Sequence, residues 1–185
     1  MMIETTTLPG VLLIKPDVFG DARGFFLETW NRQRYAEAGL DKDFVQDNVS
    51  QSRQGILRGL HFQNPRPQGK LVQALKGVVF DVAVDIRVGS PTFGQWYGVT
   101  LSEENHWQLY VPENFAHGFC VLSETALFAY KCTDTYNPSA EFSLRWDDPD
   151  VGIQWPIDSP QLSAKDQAGK LLKEFPTEAL PVYQP

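Results

Sequence analysis

Apolar and polar positions alternate most strictly in "GVVFDVAVDIRV", residues 77–88. Val78, Phe80, Val82, Val84 and Ile86 fall on one side of an extended chain. Val79, Asp81, Ala83, Asp85 and Arg87 fall on the other, which is the period-two signature of a β-strand. "GQWYGVTLS", "WQLYVP", "HGFCVLS" and "TALFAYKCTDTY" are further short runs rich in aromatic and β-branched residues. Gly, Pro, Asn and Ser punctuate these runs at intervals of about 8–12 residues, the spacing of a sandwich or barrel. Helical patterns are few. "WNRQRYAEAGL" offers Asn31 as an N-cap, Gly39 as a stop, and Trp30 with Tyr35 as a hydrophobic staple. "LSAKDQAGKLL" places Ser163 and Asp166 at capping-box spacing. The pattern predicts a single domain, residues 1–185, folded as a mostly antiparallel β-sandwich or jelly roll with short peripheral helices.

"ILRGLHFQ", residues 56–63, departs from this simplicity. It reads as a buried strand yet carries Arg58 and His61, and an unpaired buried charge is costly. Simple alternation puts Leu57, Gly59, His61 and Gln63 on one face and Arg58, Leu60 and Phe62 on the other. Arg58 would contact an anionic ligand beside His61 only if the strand bends at Gly59. Gly59 also leaves room beside the imidazole for a ligand to approach the backbone.

Composition is ordinary for a globular protein, with 42% apolar and 21% charged residues. No apolar run approaches the roughly 20 residues of a membrane helix, and the N-terminus has neither the basic start nor the apolar core of a signal peptide. Neither a membrane nor a secreted destination is indicated, and the expected location is cytoplasmic. Cys120 and Cys132 are too few for a disulfide scaffold and are expected to be reduced. The net charge of −7 argues against a nucleic-acid partner. The charge is unevenly spread, however. Between Asp47 and Asp81 there is no acid, while the same window holds Arg53, Arg58, Arg66, Lys70 and Lys76. Such a window suits a local anion site, although chance clustering explains it equally well.

Of the three histidines, His61 and His117 sit in apolar, strand-like settings. A metal-binding barrel of the cupin kind would carry a His-x-His pair, but Gln63 stands two residues after His61, so no metal is expected. No G-x-G-x-x-G, P-loop or nucleophile-elbow pattern occurs. Tyr130 shares a strand face with Ala126, Phe128 and Cys132, where it is either packing or an acid held opposite a base.

Nine segments in register carry a resemblance. "FGDARGFFLETWN", "FVQDNVSQS", "GILRGLHFQ", "PQGKLV", "GVVFDVAVDIR", "SPTFGQW", "VPENFAHGF", "YKCTDTY" and "LSAKDQAGK" follow one another in the order found in the dTDP-4-dehydrorhamnose 3,5-epimerases. The chain resembles this family from about Leu8 to Lys170. The resemblance implies a cupin-type β jelly roll, a homodimer, a dTDP-sugar substrate, and catalysis without metal or organic cofactor. It implies His61 as base, Asp166 as its paired carboxylate, Tyr130 as proton donor on the opposite face, and Lys70 as the cation near the sugar oxygen. It further assigns substrate contacts to Arg23, Phe26, Glu28, Gln46, Asp47, Asn48, Arg58, His117, Glu141 and Lys165, with Tyr136 stacking on thymine. Val49, Gln51 and the His106–Trp107 pair depart from many relatives without touching a named role. The chemistry fits these residue types. Carbons 3 and 5 flank a ketone, so inversion needs a base on one face, a stabilised enolate, and an acid on the other. Three other readings use overlapping residues: an epimerase acting on one carbon only, a non-catalytic sugar-binding jelly roll, and a metal-dependent cupin.

Overall fold

The computed structural model describes residues 1–184 and is built on two antiparallel sheets. In chain order the elements are β1 (Met2–Thr5), β2 (Leu12–Lys15), β3 (Val18–Asp21), β4 (Gly24–Leu27), α1 (Arg32–Glu37), β5 (Gln46–Arg53), β6 (Leu57–Gln63) and β7 (Lys70–Lys76). There follow β8 (Val78–Asp85), β9 (Trp96–Ser102), β10 (Gln108–Val111), β11 (Phe115–Val121), β12 (Thr125–Cys132), β13 (Glu141–Ser143) and α2 (Ala164–Gln167). One sheet runs β1-β2-β10-β7-β12-β5 and the other β13-β6-β11-β8-β9, while β3 and β4 form a separate hairpin. This is the jelly-roll sandwich that the strand spacing predicts.

Three apolar layers explain the sequence pattern. Between the sheets, Val72, Leu109, Val111 and Phe128 of the first pack against Val79, Ala83, Leu101, Phe119 and Val121 of the second. Behind the five-stranded sheet, Leu60, Phe62, Val82, Val84 and Ile86 are covered by Leu144, Val151, Leu172, Phe175 and Leu180 of the C-terminal segment. Strand β8 is therefore buried on both faces, which is why its alternation carries apolar residues on both sides. Behind the six-stranded sheet, Ile14, Leu71 and Tyr110 meet Tyr35 and Leu40 at α1. Helix α1 starts where its cap signals place it. The Asn31 side chain accepts the Arg34 N–H, and Trp30 packs on Tyr35 with ring centroids 4.6 Å apart. Cys120 and Cys132 are buried free thiols.

Strand β6 holds the irregularity that matters most. Its register against β11 pairs His61 with His117 but Arg58 with Phe119, so Gly59 and Leu60 together oppose Gly118. This is a β-bulge, and it adds one residue to the alternation. Arg58 and His61, three positions apart, consequently face the same side, while Leu60 and Phe62 remain in the layer behind. Glycine is required on both strands. Gly59 has φ +126°, and a Cβ there would lie 2.5 Å from the Gly118 Cα and 2.8 Å from the His117 carbonyl oxygen.

Gly59→Ala is expected to destabilise the protein by at least about 2 kcal/mol, since it adds left-handed strain to a backbone clash. Denaturant unfolding of the variant checks this. An unchanged midpoint would mean that the bulge relaxes without cost.

Candidate active site

The inner faces of the two sheets enclose a cavity of about 670 Å³. From the six-stranded sheet, β5 contributes Gln46, Asn48 and Ser50, β7 contributes Lys70, and β12 contributes Phe128, Tyr130 and Cys132. From the other sheet come Arg58 and His61 on β6 and His117 and Phe119 on β11. The mouth is bordered by Tyr136, Glu141 and the segment from Gln161 to Asp166. The chain thus brings together all four residues expected to do chemistry and seven of those expected to bind. Arg23, Phe26, Glu28 and Asp47 are elsewhere. Arg23 is paired with Asp21 on the exposed β3–β4 hairpin, where Phe26 is also exposed. Glu28 bonds Asn31 and Arg34 at the start of α1, and Asp47 pairs with Lys131 on the outer surface of its sheet. None of the four lines the cavity of its own chain.

His61 is the centre of a hydrogen-bonded chain. Its Nε2 lies 2.5 Å from Asp166 Oδ1, and Ser163 Oγ donates to the other carboxylate oxygen at 2.8 Å. The Asp166 N–H in turn donates to Ser163 Oγ, so Ser163 caps the helix and the Asp166 carboxylate is engaged by the Ser163 hydroxyl and His61. Burial opposes ionisation of Asp166, yet the hydrogen bond and charge of His61 outweigh it and hold the carboxyl below its ordinary value. With Nε2 engaged, Nδ1 remains to take a proton, and Glu141 Oε1 lies 4.0 Å from it. Glu141 is also partly buried, but an ion pair with Lys165 at 2.9 Å and a hydrogen bond from the Tyr136 hydroxyl at 2.8 Å keep it ionised and its pKa low. Tyr136 is tied back by its N–H, which donates to Gln46 Oε1, while Gln46 Nε2 donates to Asn48 Oδ1.

Other cavity groups stand without such partners. Among the described residues, the Tyr130 hydroxyl has no hydrogen-bond partner in the protein. Burial, with Cys132 and Glu141 adding to it against Arg58, raises the pKa of Tyr130 and keeps it a proton carrier at neutral pH. Arg58 is held by Ser52 Oγ at 2.9 Å, with no carboxylate within ion-pair distance among the described residues. Lys70 is half-buried by surface, but its ammonium is set deep among protein atoms with no ion-pair partner among the described residues. Burial lowers its pKa, partly countered by Cys132, Glu141 and Asp81. Of the basic window, only Arg58 and Lys70 reach the cavity; Arg66 pairs with Asp134 instead. Ser52 and Ser163 were not among the expected site residues. Their signal is weak, because serine in a strand or at a helix cap has ordinary structural reasons to be there.

An ammonium held low by burial costs stability below its folded pKa, and the cost vanishes toward pH 10.5, the ordinary value. Lys70→Met keeps the stem and removes the charge. The variant is expected to melt a few degrees higher than the parent at pH 7, on the order of 2–4 °C per kcal/mol relieved, with the gain shrinking as pH rises toward 10. Scanning calorimetry across that range checks it; a lower melting temperature at pH 7 would show that Lys70 supports the fold.

The site has clear relatives. The family model for dTDP-4-dehydrorhamnose 3,5-epimerase matches residues 5–174. The Salmonella typhimurium dTDP-4-dehydrorhamnose 3,5-epimerase is 55% identical over 177 residues, covering 94% of this chain and 97% of that protein. The Neisseria gonorrhoeae enzyme of the same name is also 55% identical, over 97% of this chain; this chain spans only 55% of that longer protein. A crystal structure of the Legionella pneumophila dTDP-6-deoxy-D-glucose 3,5-epimerase in complex with dTDP-4-keto-L-rhamnose superposes with a TM-score of 0.96 at 55% identity, covering 99% of this chain and 98% of that one. With a jelly roll of this form and a family match across nearly its whole length, the chain belongs to the dTDP-4-dehydrorhamnose 3,5-epimerase family.

Proposed function

We propose that the protein inverts C3 and C5 of dTDP-4-dehydro-6-deoxy-D-glucose, giving dTDP-4-dehydro-L-rhamnose. The observation that carries this reading is the placement of a carboxylate-backed histidine on one sheet and an unpartnered tyrosine hydroxyl on the other, both lining one cavity. His61 Nδ1 takes the proton from the carbon beside the ketone, and the electron pair passes into the C4 oxygen as an enolate. Asp166 stabilises the imidazolium that forms and holds its orientation. Lys70 stabilises the enolate oxygen, where a desolvated ammonium acts strongly. Tyr130 delivers its hydroxyl proton to the opposite face of the same carbon, and that carbon is inverted. Protons are conserved in each inversion: one moves to His61 and one leaves Tyr130, and before the next His61 gives its proton to solvent while Tyr130 regains one from it.

Binding roles follow from position. Arg58, free of carboxylates, suits the diphosphate. Tyr136, 51% exposed at the mouth, offers a face to the thymine. Gln46, Asn48, His117, Glu141 and Lys165 supply hydrogen bonds to sugar and nucleoside. The remaining residues fit a second copy of the chain. The β3–β4 hairpin exposes Phe19, Phe25 and Phe26 around Arg23, an apolar surface that a homodimer would cover. In that arrangement Arg23, Phe26, Glu28 and Asp47 would act at the dimer interface and the neighbouring site. Two buried free thiols and the absence, among the described residues, of a helix able to cross a membrane are compatible with a cytoplasmic site of action.

Proton NMR of the substrate with enzyme in D₂O tests substrate, reaction and roles together. Deuterium is expected at both C3 and C5; incorporation at one carbon alone would indicate a mono-epimerase, and none would sink the proposal. His61→Ala is expected to abolish exchange at both carbons, a loss of at least about 10²–10⁴-fold. Tyr130→Phe is expected to retain exchange through His61 while inverted product falls. Equal rates of exchange and inversion in that variant would reduce Tyr130 to packing.

Sedimentation equilibrium tests the assembly. A dimer is expected, with Arg23→Ala remaining dimeric but raising KM. A monomer with full activity would remove the hairpin from the site.

A further inference from the structure

Asp81 has a role the mechanism above does not use. It lies on the inner face of β8 between Val79 and Ala83, with no solvent exposure. Both its carboxylate oxygens sit 3.0 Å from Nε2 of His117, which is their hydrogen-bond partner in the protein. A carboxylate only accepts hydrogen bonds, so Nε2 carries the proton. Nδ1 of His117 has no protein partner among the described residues, and the ring lines the cavity. His117 stands directly opposite His61 in the β6–β11 register. The cavity wall therefore carries two His–Asp pairs side by side, each with one imidazole nitrogen fixed by a buried carboxylate and the other left over.

We propose that Asp81 is a positioning residue for the epimerisation: it fixes the tautomer and orientation of His117 so that Nδ1 addresses the sugar. A packing role alone would not explain the choice of residue. Residues 79 and 83 on the same face are apolar, and an apolar side chain at 81 would fill the position without burying a charge. What the carboxylate adds, besides a negative charge within reach of Lys70, is a defined partner for one imidazole nitrogen. The proposal rests on the epimerase reading of the cavity and adds a residue to it.

A double-mutant cycle on the full-length enzyme tests this, with the wild type assayed in parallel so that an inactive wild type indicts the reaction and not Asp81. Asp81→Asn keeps the shape and removes the charge. Its kcat is expected to fall by about 10²-fold, the scale of a misplaced catalytic group, with a smaller change in KM. His117→Asn keeps a donor for Asp81 and removes the second ring nitrogen. In that background, adding Asp81→Asn is expected to lower kcat no further, because the carboxylate acts through the imidazole. Equal losses in both backgrounds, or a lowered melting temperature with kcat unchanged, would overturn the proposal. Should Asp81→Asn not fold, ¹⁵N NMR of the imidazoles in the wild type decides. The His117 Nε2–H is expected to persist while the Nδ1 resonance shifts on titration with dTDP-L-rhamnose. An Nδ1 indifferent to that probe, or a proton found on Nδ1 and absent from Nε2, would refute it.

Discussion

The close approach of two glycine backbones sets the geometry on which the site depends. Gly59 and Gly118 meet where β6 bulges against β11, and neither strand has room there for a Cβ. Without the extra residue, Arg58 and His61 would lie on opposite faces of the strand. One would enter the apolar layer now filled by Leu60 and Phe62, where an unpaired charge is costly. The bulge lets one short segment serve two purposes. It keeps an unbroken apolar face toward the C-terminal segment and sends two polar side chains into the same cavity. A bulge beside an active site is a common device for aiming side chains.

The second shared element is Asp166. Helix capping and histidine pairing were competing explanations for Asp166; the Ser163 side chain makes the cap, and the Asp166 carboxylate goes to the Ser163 hydroxyl and His61. Ser163 Oγ accepts the Asp166 N–H and donates to Oδ2, which leaves Oδ1 for His61. The one-turn helix α2 is too short to be stable alone. The hydrogen bond between Asp166 and His61 holds it against β6, and in return it holds the dyad in one orientation. Stability and orientation are here the same hydrogen bonds, so the carboxylate ionises readily despite its burial.

Legibility varied with the number of constraints acting on each segment. Strands buried on two faces, such as β8 and β11, could be read from apolar periodicity because packing dictates every position. Helix α1 was legible from its cap, staple and stop. Strand β5 was not recognisable from periodicity: its inner residues Gln46, Asn48 and Ser50 line the cavity and its outer residues Asp47, Val49 and Gln51 are exposed, so neither face is consistently apolar. The β3–β4 hairpin gave no strand signal for a related reason, since its aromatic side chains are exposed in the single chain. Within the site, residue types were legible and contacts were not. Histidine, tyrosine and lysine at strand-like positions suggested chemistry, but their roles came from family resemblance. The side on which Arg58 falls needed the bulge, which no alternation rule contains.

The distribution of partners within the cavity separates groups that must be fixed from groups that must respond. Asp166 and Glu141 are bound to two or more protein groups each, and their charge is set before any reaction. Lys70, Tyr130 and Arg58 make few contacts with the protein's charges, so their strongest interactions are left for a ligand. If His61 is the base, as proposed, unspent electrophilic groups opposite it would favour charge that develops during reaction over charge already present. This division also accounts for the placement of burial. Desolvation opposes the charge on Lys70 and raises the pKa of Tyr130; in the proposed reaction an enolate oxygen near the first would gain an undiluted cation, and the second would keep its proton until a carbanion calls for it. In the proposed mechanism, the same dry walls that make these groups costly to the folded chain are what would make them effective toward a 4-keto sugar.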